Sequence, residues 1–305
     1  MQPVTFPGLG LSFQMDRVAF TVFGKEIYWY GIIIAAGFLL GTIYAMRRAK
    51  RFGVNAEKVM DVLLIAVPVS ILCARAYYCI FYWELFRDDP ISCLYIWEGG
   101  LAIYGAVIGG VGTVVIYCLL THQKVTAFLD TMCPGLLIGQ LIGRWGNFVN
   151  QEAYGRETTN FLRMGLADAS GSYAYYHPTF LYESLWNLVG FLILHFYAPK
   201  RRFDGELFLM YVGWYGLGRL WIEGLRTDSL YLFSTGIRVS QLLAGVSFAV
   251  AAALLIYHHT IRKHSPEELY VHQTARTEQQ ESTEQTEDTE QTEQTEIKEE
   301  HHDEA

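Results

Sequence analysis

The chain has 305 residues, of which 51% are hydrophobic and 15% aromatic, while only 18% are charged. Soluble domains carry roughly a quarter of their residues as charges, so this balance excludes an ordinary globular protein. The net charge of −8 is concentrated at one end: residues 265–305 hold 14 acidic and 2 basic side chains, and residues 1–264 hold 17 acidic and 21 basic. The body is mildly basic, the acidity belongs to a C-terminal segment, and no nucleic-acid partner is expected.

Apolar blocks of about twenty residues, the length that crosses roughly 30 Å of hydrocarbon as a helix, recur along the body. In chain order their cores are Tyr28–Met46, Met60–Tyr82, Leu101–Leu120, Ala127–Trp145, Thr179–Ala198, Leu207–Trp221 and Val239–His258. The sixth is short for a span and borders charged residues. The expected fold is an all-α integral membrane protein with about seven transmembrane helices. The N-terminus has no basic leader and no small-residue cleavage site, so no cleaved signal peptide is expected. Arg47, Arg48, Lys50 and Arg51 follow the first block, Lys124 the third, Lys200, Arg201 and Arg202 the fifth, and Arg262 and Lys263 the seventh. If every block crosses, these clusters share one side, which the positive-inside rule assigns to the cytoplasm. The N-terminus then lies outside and the C-terminus inside. The long connection from Ala153 to Pro178 forms a small head region on the outer side. Residues 1–264 make the membrane domain. Residues 265–305, with Thr-Glu-Gln units between Thr283 and Thr295 and almost no apolar side chains, read as a disordered cytoplasmic tail.

The polar residues inside these blocks carry the chemistry, because ionisable groups at membrane depth are costly and mark function. Tyr28-Trp29-Tyr30-Gly31 opens the first block, and Glu98-Gly99-Gly100 leads to Tyr104 in the third; both suit an interfacial aromatic belt as well as a site. The run Gly143-Arg144-Trp145-Gly146-Asn147-Phe148-Val149-Asn150-Gln151-Glu152-Ala153-Tyr154-Gly155 is the densest. Arg144, Asn147 and Gln151 share a face if the helix continues. Arginine offers a planar fork matched to phosphate or carboxylate, and a simple headgroup anchor needs no amides beside it. His177-Pro178 opens the fifth block, and Glu183 lies inside it, where it needs a partner such as an arginine from the fourth or sixth block. Tyr215, Arg219, Glu223 and Arg226 form one stripe on the sixth. The outward-running fourth and sixth blocks deliver their arginines to the same outer face. Cysteines 73, 79, 93, 118 and 133 show no metal-type spacing and read as packing residues. No metal or cofactor is expected. A transporter or lipid-binding protein would also fit a polar site in a membrane, but no internal repeat supports it.

The run from Gly143 to Gly155 resembles the signature of bacterial prolipoprotein diacylglyceryl transferases, Gly-Arg-x-Gly-Asn-Phe-x-Asn-x-Glu-x-x-Gly, with every fixed position matched. The similarity extends to Trp29-Tyr30-Gly31, Glu98-Gly99-Gly100, His177-Pro178 with Leu181-Tyr182-Glu183, and Tyr215 with Arg219, Glu223 and Arg226. It covers about residues 10 to 260. The resemblance implies a multi-pass enzyme of the bacterial cytoplasmic membrane. It would move the diacylglyceryl group of phosphatidylglycerol onto the lipobox cysteine thiol of a prolipoprotein signal peptide, forming a thioether and releasing glycerol phosphate. The family's phosphate-handling arginines map to Arg144 and Arg219. Many members carry a histidine where this chain has Tyr104, and tyrosine is the weaker base at pH 7. The expected catalytic set is Arg144, Arg219, Tyr104, Glu152 and Glu223. Arg144, Asn147, Tyr30, Asn150, Gly155, Tyr215 and Arg226 are expected to bind phosphatidylglycerol.

Overall fold

The computed structural model describes residues 2–167, 171–227, 238–277, 279, 280 and 283. Among the described residues, seven long helices match the seven apolar blocks: α1 Trp29–Arg48, α2 Ala56–Phe81, α3 Ile103–Leu120, α4 Val125–Asn150, α5 Thr179–Tyr197, α6 Glu206–Leu225 and α7 Val239–Thr260. Six of them are long and apolar enough to cross a membrane. The exception is α6, expected as a seventh span; Glu206, Arg219 and Glu223 lower its apolar character, and all three turn toward protein partners rather than outward.

The all-α expectation needs correction. Residues before α1 and in the long connection after α4 form β-structure. Strands β1 Gln2–Phe6, β2 Leu11–Met15, β5 Met164–Ala167 and β6 Tyr173–Tyr176 build one antiparallel sheet in the order β2-β1-β5-β6. A separate hairpin pairs β3 Val18–Val22 with β4 Lys25–Tyr28. Its turn places Phe23 at φ 48° and Gly24 at φ 78°, the left-handed pair that a two-residue hairpin requires. Short segments rich in β-branched and aromatic residues favour pairing over helix. The sheet closes on Phe148 at the end of α4 and Phe180 at the start of α5, with Val4, Phe6, Met164 and Leu166 buried between. It joins the chain before α1 to the head connection across that end of the bundle.

α1 and α4 touch backbone to backbone. A Cβ on Gly41 would lie 2.5 Å from the carbonyl oxygen of Gly135, and one on Gly135 2.6 Å from that of Gly41. Small residues allow this contact, the usual device for helix association in lipid. At the arginine-cluster end, Phe52, Phe128, Leu137, Leu194 and Leu207 form a second core. There Asp130 of α4 accepts from the amides of Gly205 (2.7 Å) and Phe208 (2.8 Å), capping α6 from another helix. Residues 265–305 are expected to form a disordered tail, and part of the described stretch after Ser265 touches the bundle. Leu269 is buried, and the amide of Tyr270 donates to Asp204 at 2.8 Å. Most of the acidic repeat lies outside the described residues.

Candidate active site

The signature run belongs to α4 itself. The helix continues through Arg144 and Asn147 to Asn150, then leaves at Gln151 (φ 53°), with Ala153 at φ 56°. Left-handed backbone at non-glycine residues costs on the order of 1–3 kcal/mol and clusters at functional sites. The turn brings Glu152 back to the helix. Its Oε1 accepts from Asn147 Nδ2 at 2.9 Å and Asn150 Nδ2 at 3.4 Å. Asn147 Oδ1 in turn accepts from Arg144 at 3.3 Å. The amides thus form a chain of hydrogen bonds from Glu152 to the guanidinium.

Glu183 of α5 is the hub. Its Oε2 takes Arg144 at 2.5 Å, and its Oε1 takes Arg219 at 3.5 Å and Arg226 at 3.4 Å. Arg219 also pairs with Glu223 at 2.7 Å. Arg238, at the start of α7, donates to the backbone carbonyl of Glu223. Three guanidiniums therefore share two carboxylates whose side chains are only 8% and 2% exposed. In such surroundings charges act more strongly than in water, and guanidiniums are forks suited to an anion with several acceptor oxygens.

Packing holds these groups in place. Trp145 donates to Ser184 at 3.1 Å, and Ser184 to the Leu141 carbonyl at 3.0 Å, tying α4 to α5. Trp186 and Trp214 stack at 4.2 Å and each donates to the other's carbonyl, at 3.0 and 2.9 Å, tying α5 to α6. Gly155 forms a bridge with Arg226 and touches His177 and Leu225 so closely that a Cβ would meet them at 2.8 and 3.0 Å. The final glycine of the signature thereby seats Arg226. His177, just outside α5, faces the Tyr182 hydroxyl at 3.3 Å, and its burial lowers its pKa.

Below the cluster a cleft of about 430 Å³ runs along the α1–α4 seam. Ile34, Phe38 and Leu136 line its apolar length, while Arg144, Asn147 and Tyr30 line its polar head. Tyr30 packs on Gly146, where a Cβ would sit 2.8 Å from its ring. Tyr215 borders a small void with Glu183 and Arg219. Tyr104 stands apart: its ring faces Tyr77 of α2 at 6.3 Å, and among the described residues its hydroxyl makes no hydrogen bond. Its neighbour Ile103 lines the cleft. The structure thus gathers Arg144, Asn147, Asn150, Glu152, Arg219, Glu223 and Arg226 in one network, puts Tyr30 and Tyr215 on its borders, and leaves Tyr104 outside it.

Sequence reasoning singled out Glu183 without placing it among the site residues, although a lone carboxylate in an apolar block was its signal. It missed Arg238, which has no polar stripe around it. It also missed Arg75, a buried arginine of α2 that donates to the carbonyls of Ser92, Cys93, Gly99 and Gly100 and so shapes the approach to α3.

An arginine–carboxylate cluster stands at the head of a largely apolar cleft, in a bundle with six helices long and apolar enough to cross a membrane. The sequence matches the family model for prolipoprotein diacylglyceryl transferase over residues 17–257. It is 42% identical over 275 residues to the phosphatidylglycerol–prolipoprotein diacylglyceryl transferase of Halalkalibacterium halodurans, covering 86% of this chain and 93% of that protein. It is 44% identical over 250 residues to the enzyme so named from Bacillus licheniformis, with 80% and 92% covered. With that from Shouchella clausii it is 45% identical over 252 residues, with 80% and 90% covered. The chain belongs to the prolipoprotein diacylglyceryl transferase family.

Proposed function

We infer that this chain is a phosphatidylglycerol–prolipoprotein diacylglyceryl transferase of the bacterial cell membrane. It takes phosphatidylglycerol and a prolipoprotein as substrates. The convergence of Arg144, Arg219 and Arg226 on Glu183 at the head of an apolar cleft is the observation that carries the site assignment.

The lipid phosphate lies against Arg144 and Arg219, with its acyl chains along the α1–α4 cleft. The reaction is a displacement at the glycerol carbon that bears the phosphate. The carbon–oxygen bond breaks, the cysteine sulfur forms the new carbon–sulfur bond, and glycerol phosphate leaves with the electron pair. Donors already aimed at the departing oxygens stabilise the transition state without reorganising. Glu152, through Asn147, orients Arg144, and Arg226 completes the cationic wall. The thiol, with an unperturbed pKa of ~8.5, gives up its proton to become the nucleophile. Tyr104 is the group proposed to hydrogen-bond the thiol or, in its phenolate form, to take the proton and return it to water. Because it stands outside the arginine network, it would act from the α3 side of the cleft.

The basic residues after α1, α3, α5 and α7 favour a cytoplasmic location for that end if all seven helices cross. The sheet end, with the N-terminus and the head connection, is then outside. The pairing of β1 with β5 supports this reading, because it requires both segments to lie at one end.

A lipobox peptide incubated with the enzyme and phosphatidylglycerol vesicles should gain a diacylglyceryl mass; no gain would remove the activity. Arg144→Lys keeps the charge and loses the fork, and should cut the transfer rate by about 10²–10³-fold, the range seen when one transition-state donor is lost. A full rate would remove bidentate phosphate recognition.

A further inference from the structure

A second groove, of about 790 Å³, meets the lipid cleft at Tyr30. Arg17, Glu26, Ile27 and Tyr28 of the hairpin region form one wall, and Asn150, Gln151 and Glu152 at the end of α4 form the other. Gly31, Ile32 and Ala35 of α1 make its lower part. The two recesses differ in chemistry. Below Arg144 the cleft is mainly apolar, with Thr42 and Gln140 its polar side chains, whereas this groove is apolar along α1 and lined above it by Arg17, Glu26, Asn150, Gln151 and Glu152.

The hairpin wall has a further property. Successive strand residues point to opposite faces, yet Glu26, Ile27 and Tyr28 all border the groove. The groove therefore runs along the edge of β4. Among the described residues β4 pairs only with β3, so that edge has no strand partner. An unpaired edge is a ready template for an extended peptide.

We propose that this groove binds the acceptor polypeptide. The end of its apolar signal segment lies against Ile32 and Ala35. The extended residues after the cysteine run along β4 between Arg17, Glu26 and Glu152. The two substrates then arrive by separate recesses, and the acceptor thiol is delivered at Tyr30, the side chain both recesses share. An acyl chain does not suit the upper part, because burying Glu26, Asn150 and Glu152 against hydrocarbon would leave polar groups without water. Continuity with the reaction centre runs through Glu152, whose carboxylate belongs both to the groove and to the Asn147–Arg144 chain. The proposal rests on the transferase reading of the site.

Ala35→Trp tests it, since Ala35 is exposed and a ring there fills the groove without entering the core. With phosphatidylglycerol vesicles and a lipobox peptide that extends past the cysteine, the KM for the peptide should rise about tenfold, the factor that roughly 1.4 kcal/mol of lost contact produces. The KM for lipid and kcat should stay within about twofold, because only ground-state peptide binding is removed. A peptide N-methylated at alternate amides after the cysteine should show the same rise in wild type. A raised lipid KM with an unchanged peptide KM, or no change in either, overturns the assignment. Independently of turnover, a photoreactive benzoylphenylalanine at position 35 should crosslink the peptide and not the lipid. Peptide crosslinking without transfer in wild type would refute the transferase reading and keep the groove. Transfer without peptide crosslinking would refute the groove alone.

Discussion

Glu183→Gln removes the negative charge that Arg144, Arg219 and Arg226 share while keeping the shape of the side chain. The contacts are 2.5, 3.5 and 3.4 Å, and the carboxylate is only 8% exposed. At an effective dielectric of ~20, a unit pair near 3.5 Å attracts by about 4–5 kcal/mol. Desolvation of the ions offsets much of that, and removing one partner of a buried ion pair typically costs about 3–5 kcal/mol. The expected outcome is a clear loss of thermal stability in detergent or in zwitterionic vesicles, as Arg144, Arg219 and Arg226 lose the carboxylate they share and only part of their repulsion is offset by Glu223. A lipid phosphate supplies the missing charge. Phosphatidylglycerol should therefore stabilise Glu183→Gln more than it stabilises wild type, and the transfer rate should fall because the arginines no longer stand pre-aimed. The assay is a thermal-unfolding series for both proteins across phosphatidylglycerol and phosphatidylcholine vesicles, paired with transfer rates. Equal melting temperatures and equal rates would refute the view that Glu183 organises the arginines. An equal lipid-induced shift in both proteins would refute the view that the phosphate takes over its partners.

Three further outcomes are expected. Tyr104→Phe should lower the transfer rate and flatten its rise with pH if the hydroxyl handles the thiol proton; an unchanged rate–pH profile removes tyrosine from proton transfer. Gly218→Val should lower the melting temperature, because a Cβ there would lie 2.2 Å from Trp186 Nε1 and overpacking costs about 1–3 kcal/mol; circular dichroism melts check it, and unchanged stability would mean that the indole pair yields freely. Burial lowers the pKa of His177 below its unfolded value of about 6.5, so its contribution to stability is present above that pH and is lost as pH falls below it. His177→Asn should therefore reduce the acid-side loss of stability in this window, measured by unfolding at a series of pH values, and an identical pH dependence would exclude His177 as its source.

Six of the seven helices were legible from a local property, an apolar run long enough to satisfy its own backbone in lipid; α6 showed as a shorter run bordered by charged residues. The ends of the helices were less so. The apolar core of α4 ends at Trp145, and whether the helix continued beyond it was open; it runs to Asn150, where the left-handed Gln151 turns Glu152 back onto Asn147 and Asn150. The small sheet was missed for a related reason: β1 pairs with β5, and strands far apart in sequence leave no period to read.

Chemistry divided along the same line. Residue types and spacing within single segments marked Arg144, Asn147, Glu152, Arg219, Glu223 and Arg226, since costly polar groups in apolar blocks stand out one segment at a time. Only the tertiary structure decided that Arg144 of α4, Arg219 of α6 and Arg226 just past α6 meet on Glu183 of α5, that Gly155 seats Arg226, and that Tyr104 stands outside the network. A guanidinium and a carboxylate interact over a few ångströms, and which pairs come that close depends on how the helices cross. Those crossings are set by glycine contacts and indole stacks between segments distant in the chain, such as Gly41 on Gly135 and Trp186 on Trp214.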